Sequence, residues 1–112
     1  VIADAHIEES VVGVRSIIGS GVQVRESIVM GADFYQTSAD KQRDAAMHIP
    51  PVGIGAGSVI EKAIVDKNAR IGEGVYITND AGVDDIDGEG YYIREGIVVI
   101  PKDGVIPDGM RI

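Results

Sequence analysis

Aliphatic residues return in this chain at a step of six: Val12, Ile18, Val24 and Met30, then Val59, Val65, Ile71 and Ile77, then Ile100, Ile106 and Ile112. Four positions after members of these runs lie Ser16, Val22, Ile28 and Phe34, then Ala63, Ala69 and Val75, then Gly104 and Met110. A step of six fits neither the period of about 3.6 of an amphipathic helix nor the period of about 2 of a half-buried strand. It describes one short strand and one turn per hexad, with inward residues on each side of a triangular coil. Such a coil cannot bury its own apolar edge, so neighbouring coils must stack and share one core. Strands of successive coils then lie parallel, roughly 4.8 Å apart.

Composition agrees with that geometry. Aromatic residues make up only 4% of the chain and there is no Trp, while hydrophobic residues reach 45%. Burial therefore rests on Ile, Val and Ala, which suit narrow, regular strand layers. Fifteen Gly without a collagen register indicate many tight turns. The net charge of −8 argues against a non-specific nucleic-acid partner or an anionic membrane surface. With no Cys, disulfides and thiolate metal sites are excluded, which suits a cytosolic setting. No apolar run has the length of a membrane span and no signal-peptide pattern is present. The chain starts at Val1 inside an apparent repeat, and reads as a piece of a longer protein.

Longer copies overlie the hexads. Ile18-Gly-Ser-Gly, Ile54-Gly-Ala-Gly and Ile71-Gly-Glu-Gly form one set; Ile7-Glu-Glu-Ser-Val-Val, Val24-Arg-Glu-Ser-Ile-Val and Ile60-Glu-Lys-Ala-Ile-Val form another. Three sides make roughly 18 residues per coil, with some five-residue sides such as Ile7 to Val12 and Ile60 to Val65. The expectation is one all-β solenoid domain over 1–112, of about four to five coils. Two stretches break the pattern, at about 35–51 and 78–90, and read as loops thrown out between coils. The first, closed by Ile49-Pro50-Pro51, has a candidate short helix at Ala39–Met47; the second is acidic, with Asp80, Asp84, Asp85, Asp87 and Glu89.

Few residues carry chemistry. Gly53-Ile-Gly55-Ala-Gly57 is followed by a hexad strand, whereas a nucleotide loop needs a helix there, so turn glycines are the better reading. His6 and His48 are the only histidines, one in the first coil and one beside two prolines. Solenoid acyltransferases use a His as general base, so these two keep that class open; two are too few for a three-His zinc site. The acidic stretch lacks calcium-loop spacing. Cations are scarcer, ten against eighteen acids, and Arg15, Arg25, Lys62, Lys67, Arg70, Arg94 and Lys102 lie in or beside repeat segments. A rigid stack can bring such residues to one edge, where a phosphate-bearing ligand would find them.

Four strings are more specific than the repeat: Ser10-Val-Val-Gly-Val-Arg-Ser16, Met30-Gly-Ala-Asp-Phe-Tyr-Gln-Thr37, Ala63-Ile-Val-Asp-Lys-Asn-Ala-Arg-Ile-Gly72 and Gly90-Tyr-Tyr-Ile-Arg-Glu-Gly-Ile-Val-Val-Ile100. In order and over essentially the whole chain, they resemble the carboxy-terminal domain of ADP-glucose pyrophosphorylase (glucose-1-phosphate adenylyltransferase), of the cyanobacterial and plant type. The resemblance implies a left-handed parallel β-helix, an exception to the usual right-handed crossover. It also implies a parent enzyme that makes ADP-glucose and pyrophosphate from ATP and glucose 1-phosphate for glycogen or starch synthesis, in the cytoplasm, or in a plastid if of plant origin. In that family the substrates and Mg²⁺ bind an amino-terminal nucleotidyltransferase domain, absent from this chain, so no catalytic residue, metal or cofactor is expected here. The implied partners are that catalytic domain, the other subunits of a homo- or hetero-tetramer, and phosphorylated metabolite effectors. Lys102 falls on an activator-binding lysine of the family and Arg94 on a basic position of its pattern, while a second regulatory lysine is replaced by Asp80. A separate hexapeptide-repeat acyltransferase and a purely structural solenoid are the alternatives.

Overall fold

In a computed structural model, described for Ile2 and residues 4–112, the chain winds through thirteen short strands and one helix. The strands are β1 (His6–Glu8), β2 (Val11–Val12), β3 (Gln23–Arg25), β4 (Ile28–Val29), β5 (Gly53–Ile54), β6 (Val59–Glu61), β7 (Ala63–Val65), β8 (Arg70–Ile71), β9 (Tyr76–Ile77), β10 (Ile86–Asp87), β11 (Tyr92–Arg94), β12 (Ile97–Ile100) and β13 (Val105–Ile106). The helix α1 (Ser38–Ala46) lies between β4 and β5.

Three parallel faces result. The first is β1-β3-β6-β9, with Ile7, Val24, Ile60 and Ile77 in register. The second stacks β2, β4, β7 and β12, aligning Val12, Val29, Val65 and Ile100. The third is β5-β8-β13, aligning Ile54, Ile71 and Ile106, and single bridges continue it through Ile18 to Ile2. These columns are the core: Val24, Ile60, Ile71, Ile77, Ile100 and Ile106 are fully buried. Full burial of such a side chain contributes about 1.5–3 kcal/mol, so the stack itself is the main source of stability.

Partners on successive uninterrupted coils are 17 residues apart in His6↔Gln23, Val11↔Ile28, Gly53↔Arg70 and Val59↔Tyr76, and 16 apart in Ile2↔Ile18. Where no excursion interrupts it, the side between first and second faces has five residues, not only at Ile7 to Val12 and Ile60 to Val65 as expected but also at Val24 to Val29, which corrects the expected frame. Ile28, expected inward, is exposed and Val29 takes its place; Met30 and Phe34 are exposed as well, and Ile60 rather than Val59 enters the core. The shortened side turns through left-handed backbone at Glu9, Glu26 and Lys62, with φ of 48°, 48° and 49°. No glycine marks these turns, so the frame shift leaves no compositional trace.

Each excursion leaves the stack at a corner within a coil rather than between coils as expected: the first lies between β4 of the second face and β5 of the third, the second between β9 of the first face and β12 of the second. At the first, Gly31 has a φ of 83° and a Cβ there would strike the Val14 carbonyl oxygen, so the exit needs glycine. α1 begins one residue before the expected helix; Thr37 and Asp40 form a reciprocal capping box. The second excursion is more ordered than a loop. β10, β11 and β12 form an antiparallel hairpin sheet joined to the second face, and Glu95-Gly96 turns with both φ positive, at 51° and 79°. A two-residue turn of that kind matches the twist of a hairpin.

Candidate functional site

The corner that follows the second face gathers charge from successive coils. Lys67 and Lys102 each lie two residues beyond an inward member of one column, Val65 and Ile100, so stacking superposes them. The amide of Asp103 donates to the Lys67 carbonyl at 3.0 Å and locks the two turns together. Asn68 and Asp103 adopt left-handed backbone, φ 60° and 62°, as does Arg15 at 56° in the first coil. Asn and Asp tolerate this conformation better than other L-residues do.

Asp33, the residue that follows the Gly31-Ala32 exit, closes the site. Its carboxylate meets Lys67 Nζ at 3.3 Å through one oxygen and Lys102 Nζ at 4.0 Å through the other. Buried Asn68 fixes it from below: the Asp33 amide donates to Asn68 Oδ1 at 2.9 Å, and Asn68 Nδ2 donates to Asp33 Oδ2 at 3.3 Å. The Asn68 hydrogen bond, then Lys67, hold the Asp33 carboxyl below its ordinary range. Arg15 extends the column by donating to the Ala32 carbonyl at 3.3 Å. Both ammonium groups stay about half exposed, at 46% and 58%. Partly exposed cations held by a rigid frame suit an anionic ligand presented from solvent.

Arg94 lies elsewhere, on β11 of the hairpin. It donates to Asp87 at 2.6 Å and to the carbonyls of Ile86 and Ile93, and stands over the Tyr92 ring at 5.1 Å. Among the described residues it shares no partner with Lys102. Two more cations are engaged internally. Arg70 pairs with Asp44 of α1 at 2.6 Å and donates to Pro50 O, while Arg25 lies between Glu8 and Glu61. Asp80 is exposed in the turn that opens the second excursion.

The histidines are far apart in chain and setting: His6 contacts Glu8 on β1, and His48 sits in the turn after α1. Among the described residues, no group of three or more His, Asp or Glu is placed to hold a metal ion. Among the described residues, no helix is long and apolar enough to cross a membrane. Asp33 and Asn68 are the site residues that sequence reasoning missed. The equal offsets of Lys67 and Lys102 from Val65 and Ile100 would have paired those lysines, but Asp33 joins them only once the exit of the first excursion is located.

The model of one family, described as the GLGC left-handed parallel beta-helix domain, matches residues 1–110. The chain belongs to that family. The GLGC domain is the β-helix of ADP-glucose pyrophosphorylase, so the resemblance carried by the four sequence strings holds across the chain. GLGC proteins are nucleotidyltransferases, which makes this an ADP-glucose pyrophosphorylase-related domain and gives the parallel stack its left-handed class.

Proposed function

We infer that this β-helix is the regulatory and assembly domain of a glucose-1-phosphate adenylyltransferase, an enzyme that forms ADP-glucose and pyrophosphate from ATP and glucose 1-phosphate for glycogen or starch synthesis. Chemistry and Mg²⁺ belong, in this reading, to the nucleotidyltransferase domain, and the β-helix contributes an effector site. The observation that carries it is the meeting of Lys67 and Lys102 from successive coils on one half-exposed corner. Two ammonium groups on a rigid frame would hold a phosphate group of a metabolite effector as point charges. A ligand bound there changes catalysis only by its different affinity for active and inactive arrangements of the two domains.

Assembly is supported by the outer row of the second face. Val11, Ile28, Ile64 and Val99 stand in register there, and Val11 and Ile28 are exposed at 64% and 44%. An aliphatic row of this kind suits contact with another domain or subunit of a tetramer.

The test is a set of activation curves with several sugar phosphates on the enzyme that joins this domain to its nucleotidyltransferase domain. Lys102→Ala should raise half-activating concentration by roughly 5- to 150-fold, the usual range of coupling between sites, and leave unactivated turnover little changed. Lys102→Arg should retain part of the response. Unchanged half-activation in Lys102→Ala for every effective sugar phosphate would remove the corner from regulation.

A further inference from the structure

The corner already holds an anion. Asp33 places one carboxylate oxygen toward each lysine, 3.3 Å from Lys67 and 4.0 Å from Lys102, in the space that a phosphate oxygen bridging the two would occupy. This placement is built. Asn68 is only 7% exposed, its left-handed turn is fixed by donation from its own amide to Gly31 O at 3.1 Å, and both of its side-chain polar atoms are spent on Asp33. Asp33 opens the first excursion, so the contact also ties that excursion to two coils that come later in the chain. The charged groups that face it are Lys67 and Lys102, with Arg15 on the neighbouring Ala32 carbonyl.

We propose that Asp33 is an internal counter-ion that competes with anionic ligands for Lys67 and Lys102, so that an oxyanion binds only by displacing the Asp33 carboxylate from the lysines. This rests on the reading of the corner as an anion site and adds to it a residue that sets the affinity. Displacement is feasible because both ion pairs are about half exposed, and pairs of that kind are weak. It also gives the site a threshold, since a singly charged ligand gains little over the carboxylate it replaces, whereas a doubly charged phosphate brings twice the charge to the same two lysines.

The experiment is sulfate binding to the 112-residue chain, followed by chemical shift at constant ionic strength. Sulfate keeps its double charge across the working pH. Asp33→Asn keeps an oxygen acceptor for Asn68 and the backbone bond, and replaces the charged carboxylate by a neutral amide. It should bind sulfate roughly 2- to 30-fold more tightly than the wild type, the range set by two exposed ion pairs. Glu73→Gln, an equal charge change on a different turn, should leave affinity unchanged within about a factor of two at moderate salt, where distant charges are screened. In the Asp33→Asn background, Lys102→Ala should abolish the gain.

Sulfate binding by Asp33→Asn alone, with none by the wild type, would also support competition. Equal or weaker binding by Asp33→Asn than by a wild type whose affinity still depends on Lys102 would overturn the proposal and leave the anion site standing. An equal gain from Glu73→Gln would overturn it too, because net charge would then explain the effect. Absence of binding in every variant would sink both the proposal and the anion-site reading beneath it.

Discussion

Two corners of the same coil are built in opposite ways. Between first and second faces, Ser hydroxyls close the backbone. Ser10 Oγ donates to Glu8 O and accepts from the Ser27 amide; Ser27 Oγ donates to Arg25 O and accepts from the Ala63 amide. Each hydroxyl carries a strand bond across a tight turn, and Ser27 is buried. After the second face, the backbone largely bonds to itself, through Asn68 N to Gly31 O and Asp103 N to Lys67 O, so the side chains of Lys67, Lys102 and Asp33 meet solvent. One corner uses its side chains to make the fold. The other leaves its charged side chains half exposed to solvent.

The sharpest break of that comparison lies just beneath the charged corner. Val65 is buried at 3%, so Val65→Asp places a carboxylate inside the stack and should cost several kcal/mol in thermal unfolding. Ile28→Asp, one sheet position away on the outside, should melt close to wild type. Equal losses in the two variants would show that the five-residue frame is wrong.

Next in size is the serine corner. Ser27→Ala strands the buried Ala63 amide without its acceptor, an expected loss of about 1–3 kcal/mol in denaturant unfolding. Sulfate affinity should stay at the wild-type value, because this corner lies outside the proposed anion site.

The third face supplies an intermediate case, a cation used internally. Arg70 and Asp44 are mostly buried, and Gln36 bridges Asp44 to the returning Val52 amide, so this network tethers α1, which buries none of its own residues. Arg70→Met should speed amide hydrogen exchange in Ser38–Ala46 and leave the coils protected. Acid should act in the same direction. The Arg70 hydrogen bond, ahead of the opposing effect of burial and of the Gln36 bond, holds the Asp44 carboxyl below its ordinary range. Its stabilisation is therefore complete above the ordinary carboxylate pKa and disappears as pH falls through the lowered value. Exchange in α1 should rise over that acidic window in wild type, and the Arg70→Met chain should lack the step. The smallest effect belongs to Lys102→Ala, which should melt like the parent, since its ion pair is long and half exposed.

Much of this was legible in the sequence. The repeat identifies the stack, and Ile18, Val22, Val24, Val65, Ala69, Ile71 and Val75 are buried as the hexads require. The frame failed at Ile28 and Met30 because second-face strands carry aliphatic residues on both surfaces, Val11-Val12, Ile28-Val29 and Ile64-Val65. Apolar periodicity alone therefore does not separate inside from outside. The hairpin was hidden by an acidic composition that reads as a loop, although Glu95-Gly96 between Ile93 and Ile97 is a turn signal. The site was half legible: Lys102 and Lys67 stood among the repeat cations. Asp33 owes its role to where an excursion leaves the coil, and periodicity does not encode that point.

The most direct test of the central claim is a residue-resolved amide spectrum of the chain during titration with inorganic phosphate. The account predicts saturable shifts confined to the charged corner, at Ala32-Asp33, Lys67-Asn68 and Lys102-Asp103, with Ser10, Ser27 and Ala63 unmoved. Shifts centred on Arg94 and the hairpin, or spread evenly over both corners, would contradict it.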